Sequence, residues 1–163
     1  MEWTLTIADL VEMYKSLKSE AVGAVELCPE TSKFLYACRL NEKRIFPFVE
    51  QADSFLKEYI EEEQKLRGEC GEDGEGIKKL KEGLKKLFVL HRDSFAARDE
   101  VIAQAPEGLS LFMVDFENVP KLPWKVVEPL MEFIRPPKQE DSRDDEEKHV
   151  ETGSVVPVAP AAV

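Results

Sequence analysis

The side chains that could form a nucleophile and its base are few in this chain. Cys28, Cys38 and Cys70 could each supply a thiolate, and His91 is the single histidine within residues 1–135 that could deprotonate one. His91 falls on an apolar stripe with helical spacing, a position typical of a packed structural histidine. We therefore predict no nucleophilic active site.

Metal, disulfide and cofactor chemistry is disfavoured as well. The three cysteines are an odd number without CxxC spacing, which predicts neither a disulfide framework nor a zinc site. The glycine-rich segment 68–76 lacks a following GK[ST] sequence, and its acidic residues would repel a phosphate. We expect no metal and no cofactor, and we predict that the protein is not an enzyme.

The charge balance narrows the choice of partner. The 163 residues carry 33 acidic and 22 basic side chains, a formal net charge of -11. A nucleic-acid surface needs a basic protein face, so we expect no direct contact with nucleic acid. A protein partner is the prediction.

Two charged clusters flank the glycine-rich segment and form the predicted interaction surface. Its members are Glu58, Glu61 and Glu62 before the segment and Lys78, Lys81 and Lys85 after it. Because the helices that carry them should pack side by side, we expect the acidic run to face the basic run. A second interpretation treats the three glutamates, with the acidic run 140–147, as an imitation of a phosphate backbone.

The elements that must position these residues are mainly helical. Thr6 and Asp9 have capping-box spacing and predict a first helix over residues 7–19. A second helix is expected over 29–66, with Pro47 inside it, and a third over 77–103 with one buried stripe. The fold class predicted is mainly α: a short N-terminal helix, an antiparallel, coiled-coil-like hairpin of two long helices, a small two-stranded β element and a closing C-terminal helix.

The smaller elements lie at the two ends of this domain. Residues 109–116 are compact, apolar and aromatic, and we expect them to form a strand that pairs with residues 3–5. The closing helix is expected over 124–134, with Pro129 limiting its regularity. If the long hairpin leaves apolar stripes exposed, two chains could bury them in a homodimer.

The composition changes after residue 135. Pro136 and Pro137 stop a helix, and the residues that follow are first acidic and then rich in Pro, Ala and Val. We predict a single helical domain over 1–135 and a disordered tail over 136–163. The start of the chain lacks signal-peptide features, and no stretch approaches the ~20 apolar residues of a membrane span. A cytoplasmic protein without membrane contact is expected.

Several short patterns, in this order, resemble a family of small tailed-bacteriophage proteins of uncharacterised function. The patterns are residues 6–10, residues 34–41 with Arg39-Leu40-Asn41, residues 46–50, the Glu-rich run to Leu66, the acidic glycine turn, and Leu122-Pro123-Trp124 before Pro129-Leu130-Met131. The resemblance covers residues 3–135 and implies a phage or prophage origin, hence the host cytoplasm or the virion. It also implies a helical hairpin with a small sheet, and no activity.

These observations lead to three hypotheses about function. The first is a non-enzymatic, phage-encoded protein-interaction protein that modulates a host protein. The second is a virion or assembly component, such as a minor tail or head-completion factor. The third is an acidic DNA mimic that inhibits a host nucleic-acid enzyme.

Overall fold

The computed structural model describes residues 4–137, which form a mainly helical fold with a small two-stranded parallel sheet. The predicted mainly α class with a small two-stranded β element is thereby confirmed. Trp3 and residues 138–163 of the tail predicted over 136–163 lie outside the described residues. The elements are α1 (Ile7–Leu17), α2 (Glu20–Gly23), α3 (Ser32–Ser54), α4 (Lys57–Glu69), α5 (Gly74–Leu90), α6 (Arg92–Ile102), β1 (Val114–Asp115), a 3-10 helix (Phe116–Asn118), α7 (Trp124–Val127), a second 3-10 helix (Glu128–Phe133) and β2 (Ile134–Arg135).

The first helix begins where the capping box predicts. The Thr6 backbone N–H donates to the Asp9 carboxylate at 2.8 Å, and the Thr6 hydroxyl accepts from the Asp9 backbone N–H at 3.3 Å. These two bonds satisfy donors that the first turn leaves unpaired. The helix ends at Leu17, two residues before the predicted end.

The hydrophobic core lies between α1, α3 and the closing segment after α7. Its largest fully buried apolar side chains are Leu10 and Met13 of α1, Phe34 and Ile45 of α3, and Leu130 and Phe133 of the second 3-10 helix. At roughly 1.5–3 kcal/mol for each large apolar side chain removed from water, this layer supplies the main stabilising contribution. α4 has no buried side chain, and α5 buries only Gly76.

The prediction of one long second helix is wrong. α3 continues through Pro47, and the interruption comes eight residues later, at Phe55 and Leu56. The Leu56 backbone N–H bonds the Asp53 carbonyl, three residues back, while its own carbonyl accepts from Ile60 to start α4. Neither residue at this break is a proline or a glycine. The helix is interrupted because α3 packs on α1 and α6, whereas α4 turns away from them and packs against α5.

The third predicted helix is also divided, at His91. α5 starts at Gly74, three residues before the predicted start, and His91 separates it from α6 with backbone angles outside the helical range. The predicted stripe is less buried than expected: His91 is buried, most of its other members are half-buried, and Phe88 is 53% exposed. Since α5 packs mainly on α4, one neighbour covers only one side of it.

The strand pairing differs from the prediction as well. β1 pairs in parallel with β2, with Val114 opposite Ile134 and Asp115 opposite Arg135. Leu5, in the segment expected to be the partner strand, has no strand structure. The predicted closing helix is α-helical only over α7 and then tightens into the 3-10 helix, which contains Pro129. This tight turn carries the chain directly into β2.

Candidate functional site

The predicted interaction surface lies on the arm formed by α4 and α5. All six of its residues, Glu58, Glu61, Glu62, Lys78, Lys81 and Lys85, are exposed. The two helices approach closely where Leu66 of α4 meets Gly83 of α5, because a Cβ at Gly83 would lie 2.6 Å from Leu66 Cδ2. Glycine at this position therefore lets Leu66 pack against the backbone of α5.

The lysines do not face the acidic run as predicted. Gly83 and Leu87 line the groove between the helices with Leu66, which fixes the side of α5 that faces α4. At 100° per residue, Lys78, Lys81 and Lys85 project from the far side. In the described part of the chain none of the three has a carboxylate within ion-pair distance. The arm is held by apolar contact rather than by matched charges.

The three glutamates do not form one row either. Glu61 lines a groove at the α3–α4 junction together with Tyr14 and Phe46, whereas Glu62 lines the groove between α4 and α5. Consecutive helical residues diverge by about 100°, which directs these two carboxylates towards two different grooves.

An apolar stripe runs beside the lysines on α5. Ile77, Leu84 and Phe88 recur at spacings of seven and four residues, which places them on one face. Ile77 is 47% exposed and Phe88 is 53% exposed. We name the surface formed by Ile77, Leu84 and Phe88 with Lys78, Lys81 and Lys85 the α5 stripe. It combines apolar area with three positive charges that lack a partner among the described residues.

His91 anchors the corner where the arm joins α6. Its Nε2 atom is buried, lies 3.4 Å from Glu62 Oε1, and makes no hydrogen bond with a described residue. The Tyr59 ring packs edge-on against the His91 ring, with centroids 5.7 Å apart, and against Phe95 at 4.9 Å. His91 is thus packed among aromatic rings, as predicted for a structural histidine.

The cysteines occupy three separate environments. Cys38 is buried in α3, and burial raises the pKa of its thiol to about 12. Cys28 and Cys70 are half-buried, and the Cys28 Sγ lies 3.3 Å from the Thr31 hydroxyl oxygen. No hydrogen bond joins a cysteine to His91 in residues 4–137.

The described residues contain neither a cluster of metal-ligating side chains nor a helix suited to a membrane. No group of three or more His, Cys, Asp or Glu side chains within 4–137 converges as metal ligands would. Among the helices of the same region, none has both the length and the apolar character needed to cross a bilayer.

A groove that no sequence pattern predicts lies between the start of α3 and β1. Its volume is about 570 Å³, and its walls include Tyr36 and Phe112, whose rings meet edge-on with centroids 5.2 Å apart. Lys33, Asp115 and Arg135 also line it. We name this the Tyr36–Phe112 groove. Tyr36 is 58% exposed although it belongs to a helix that carries the core, and that exposure is not readable from sequence.

A fully buried polar residue fixes the wall of the groove that contains Phe112. Asn41 of α3 is 0% exposed, and its side chain bonds both the backbone N–H and the backbone carbonyl of Phe112. Arg44, one turn further along α3, donates to the Ser110 carbonyl at 2.8 Å. The extended segment before β1 is therefore held on α3 by side chains.

The fold and these surfaces define a mainly helical protein with an exposed two-helix arm and an aromatic groove. Comparison with protein-family models, with curated proteins and with solved structures finds no match to this chain. The resemblance to small tailed-bacteriophage proteins therefore stays a prediction.

Proposed function

We propose that this chain is a non-enzymatic protein-interaction protein that binds its partner through the α5 stripe. The observation that supports the proposal is the pairing of exposed apolar side chains with lysines that have no partner carboxylate among the described residues. Large apolar side chains on a surface favour burial against a partner, and unpaired charges steer and select it.

The composition of the stripe specifies the chemistry of the partner. Ile77, Leu84 and Phe88 lie along one face, a pattern that an amphipathic helix of the partner can match. Lys78, Lys81 and Lys85 border that face, so the partner's helix should carry Asp or Glu at its margin. A phage origin, as the resemblance implies, would make the partner a host protein or another phage protein.

The proposal predicts a charge-dependent complex. The tagged full chain should retain a saturable protein from a bacterial host lysate or from purified phage particles, identified by mass spectrometry. Lys78→Glu/Lys81→Glu/Lys85→Glu should lose that protein. The matched control Lys43→Glu/Lys121→Glu/Lys125→Glu makes the same charge change on exposed lysines elsewhere and should keep it.

The remaining hypotheses give different results in the same experiment. Recovery only with virion proteins would support an assembly component rather than a modulator of a host protein. Loss of a host nucleic-acid enzyme in Glu58→Lys/Glu61→Lys/Glu62→Lys, with retention in the lysine variant, would support the DNA mimic instead. Equal retention by all variants would remove the α5 stripe from the binding surface.

A further inference from the structure

The Tyr36–Phe112 groove has the chemical character of a site for an extended, proline-containing peptide. Tyr36 and Phe112 present two aromatic rings at nearly right angles, with an interplanar angle of 83°. Both rings keep a large exposed fraction, 58% for Tyr36 and 38% for Phe112. Aromatic-lined grooves bind polyproline II segments, because proline rings pack on exposed aromatic surfaces.

Polar groups that line the groove complement such a ligand. A polyproline II segment makes no internal hydrogen bonds, so its carbonyl oxygens need donors from the receptor. Lys33 and Asn118 line the groove, and neither side chain donates to a described residue. Arg135 Nη1 lies 3.7 Å from Asp115 Oδ1. Because this ion pair is exposed, Arg135 can donate to a ligand instead at little cost in free energy.

The groove is held in shape before any ligand arrives. Asn41 fixes the backbone of Phe112 with two hydrogen bonds, and Arg44 fixes that of Ser110. Tyr36 is on the same helix, so both walls of the groove are attached to α3. A preformed site avoids the entropy cost of ordering its walls on binding.

The chain itself supplies a segment with matching sequence. Residues 155–160 read Val-Val-Pro-Val-Ala-Pro, in which Pro157 and Pro160 have PxxP spacing. Polyproline II repeats every three residues with a rise of about 3.1 Å per residue, so these two prolines would share one face about 9 Å apart. No other pair of prolines in the chain has this spacing except Pro120 and Pro123, which belong to the described domain.

The point where the described chain ends makes this segment available to the groove. Pro136 and Pro137 lie in a shallow pocket with Asp115 and Arg135, two residues that also line the Tyr36–Phe112 groove. Residues 138–156 connect this point to Pro157. At up to about 3.3 Å per residue, 19 residues can span at most about 63 Å, which is enough to leave the rim of the groove and return to it.

We propose that the Tyr36–Phe112 groove binds the Pro157–Pro160 segment of its own chain. The two proline rings pack against Tyr36 and Phe112, and the groove's free donors bond the segment's carbonyls. A short linker of this kind gives an effective concentration on the order of 1 mM. A partner protein with a PxxP segment would have to displace it, and access to the groove is thereby regulated.

The proposal is tested with the full chain by backbone amide NMR. Pro157→Ala/Pro160→Ala should shift the amide signals of Lys33, Tyr36, Val114 and Asp115, whereas the control Ala161→Ser/Ala162→Ser should leave them unchanged. Tyr36→Ala should shift the amide signals of the non-proline residues within 155–161, and Tyr36→Phe should preserve their positions because it keeps the ring. Unchanged signals elsewhere in the domain show that each variant is folded.

A peptide competition gives the second readout. The synthetic peptide 155–163 should bind the Pro157→Ala/Pro160→Ala chain and bind wild type about tenfold more weakly, as a linked competitor near 1 mM predicts for a Kd near 0.1 mM. Equal affinity for the two chains, or no binding to either, would overturn the proposal. Amide shifts that grow with protein concentration together with a dimer mass would assign the segment to a second copy and overturn binding within one chain.

Discussion

The Asn41 side chain bonds the backbone of Phe112 on both sides, although 71 residues separate them. Its Nδ2 donates to the Phe112 carbonyl at 2.9 Å, and its Oδ1 accepts from the Phe112 N–H at 2.7 Å. The amide thus takes the place of a neighbouring strand for the segment that leads into β1. This one side chain connects the core helix to the wall of the groove.

Removing this amide should destabilise the protein. Asn41→Ala leaves two backbone groups of Phe112 unpaired, each worth about 1–3 kcal/mol when buried, and partial hydration reduces the expected loss to roughly 2 kcal/mol. Urea unfolding followed by circular dichroism measures it. Arg44→Ala is the control, since its bond to Ser110 is exposed and should contribute less than about 1 kcal/mol. Equal losses in the two variants would contradict the special role of Asn41.

Two neighbouring glycines in α5 should respond differently to alanine. A Cβ at Gly76 would lie 2.1 Å from the Gly71 carbonyl oxygen, whereas a Cβ at Gly74 would meet nothing within 4 Å. Gly76→Ala must displace the turn that Asp73 caps, so we expect faster amide hydrogen exchange across α4 and α5. Gly74→Ala should leave exchange unchanged or slow it. If the two variants behaved alike, the close approach at Gly76 would not constrain the turn.

Pro47 should be a position where stability can be gained. It lies exposed inside α3, where proline removes a helical hydrogen bond and costs about 3 kcal/mol in a regular helix. Pro47→Ala should therefore raise the free energy of unfolding by roughly 1–3 kcal/mol. Pro29→Ala, in an exposed loop, should lower the free energy of unfolding by less than about 1 kcal/mol, because the substitution raises the conformational entropy of the unfolded chain. A loss of stability in Pro47→Ala would show that the proline itself is needed for packing.

Cys38 should give the protein a specific dependence on alkaline pH. Burial raises the pKa of its thiol from 9.0 to about 12, so the folded state holds the proton more tightly than the unfolded state does. The buried thiol therefore stabilises the folded state fully below pH 9, and this contribution is lost as the pH rises towards 12. Between pH 8 and pH 10.5, the free energy of unfolding should fall further for wild type than for Cys38→Ala.

A labelling experiment separates Cys38 from the other thiols. At pH 8 a thiol reagent should modify Cys28 and Cys70 quickly and Cys38 only on unfolding, because the thiolate is the reactive form. Cys28→Ala is the control for the pH experiment on Cys38. Its free energy of unfolding should fall with pH as steeply as that of wild type. Rapid modification of all three thiols in the folded protein would contradict the buried position of Cys38.

The sequence by itself determined the features that depend on near neighbours. The capping box of Thr6 and Asp9, the helical nature of most of the chain, the reversal at the glycine-rich segment and the packed His91 all follow from residues a few positions apart. Helix caps and amphipathic stripes are local signals, so they are visible in a single sequence. The six charged residues of the predicted surface were likewise placed correctly on exposed helix faces.

The tertiary structure decided where helices break and which segments meet. Neither Phe55–Leu56 nor His91 carries a helix-breaking residue, and both breaks exist because α3 and α6 pack in the body while α4 and α5 pack on each other. The parallel pairing of β1 with β2 and the bonds from Asn41 to Phe112 join residues that are distant in sequence. Such contacts are selected by the packing of the whole core, and no local pattern specifies them.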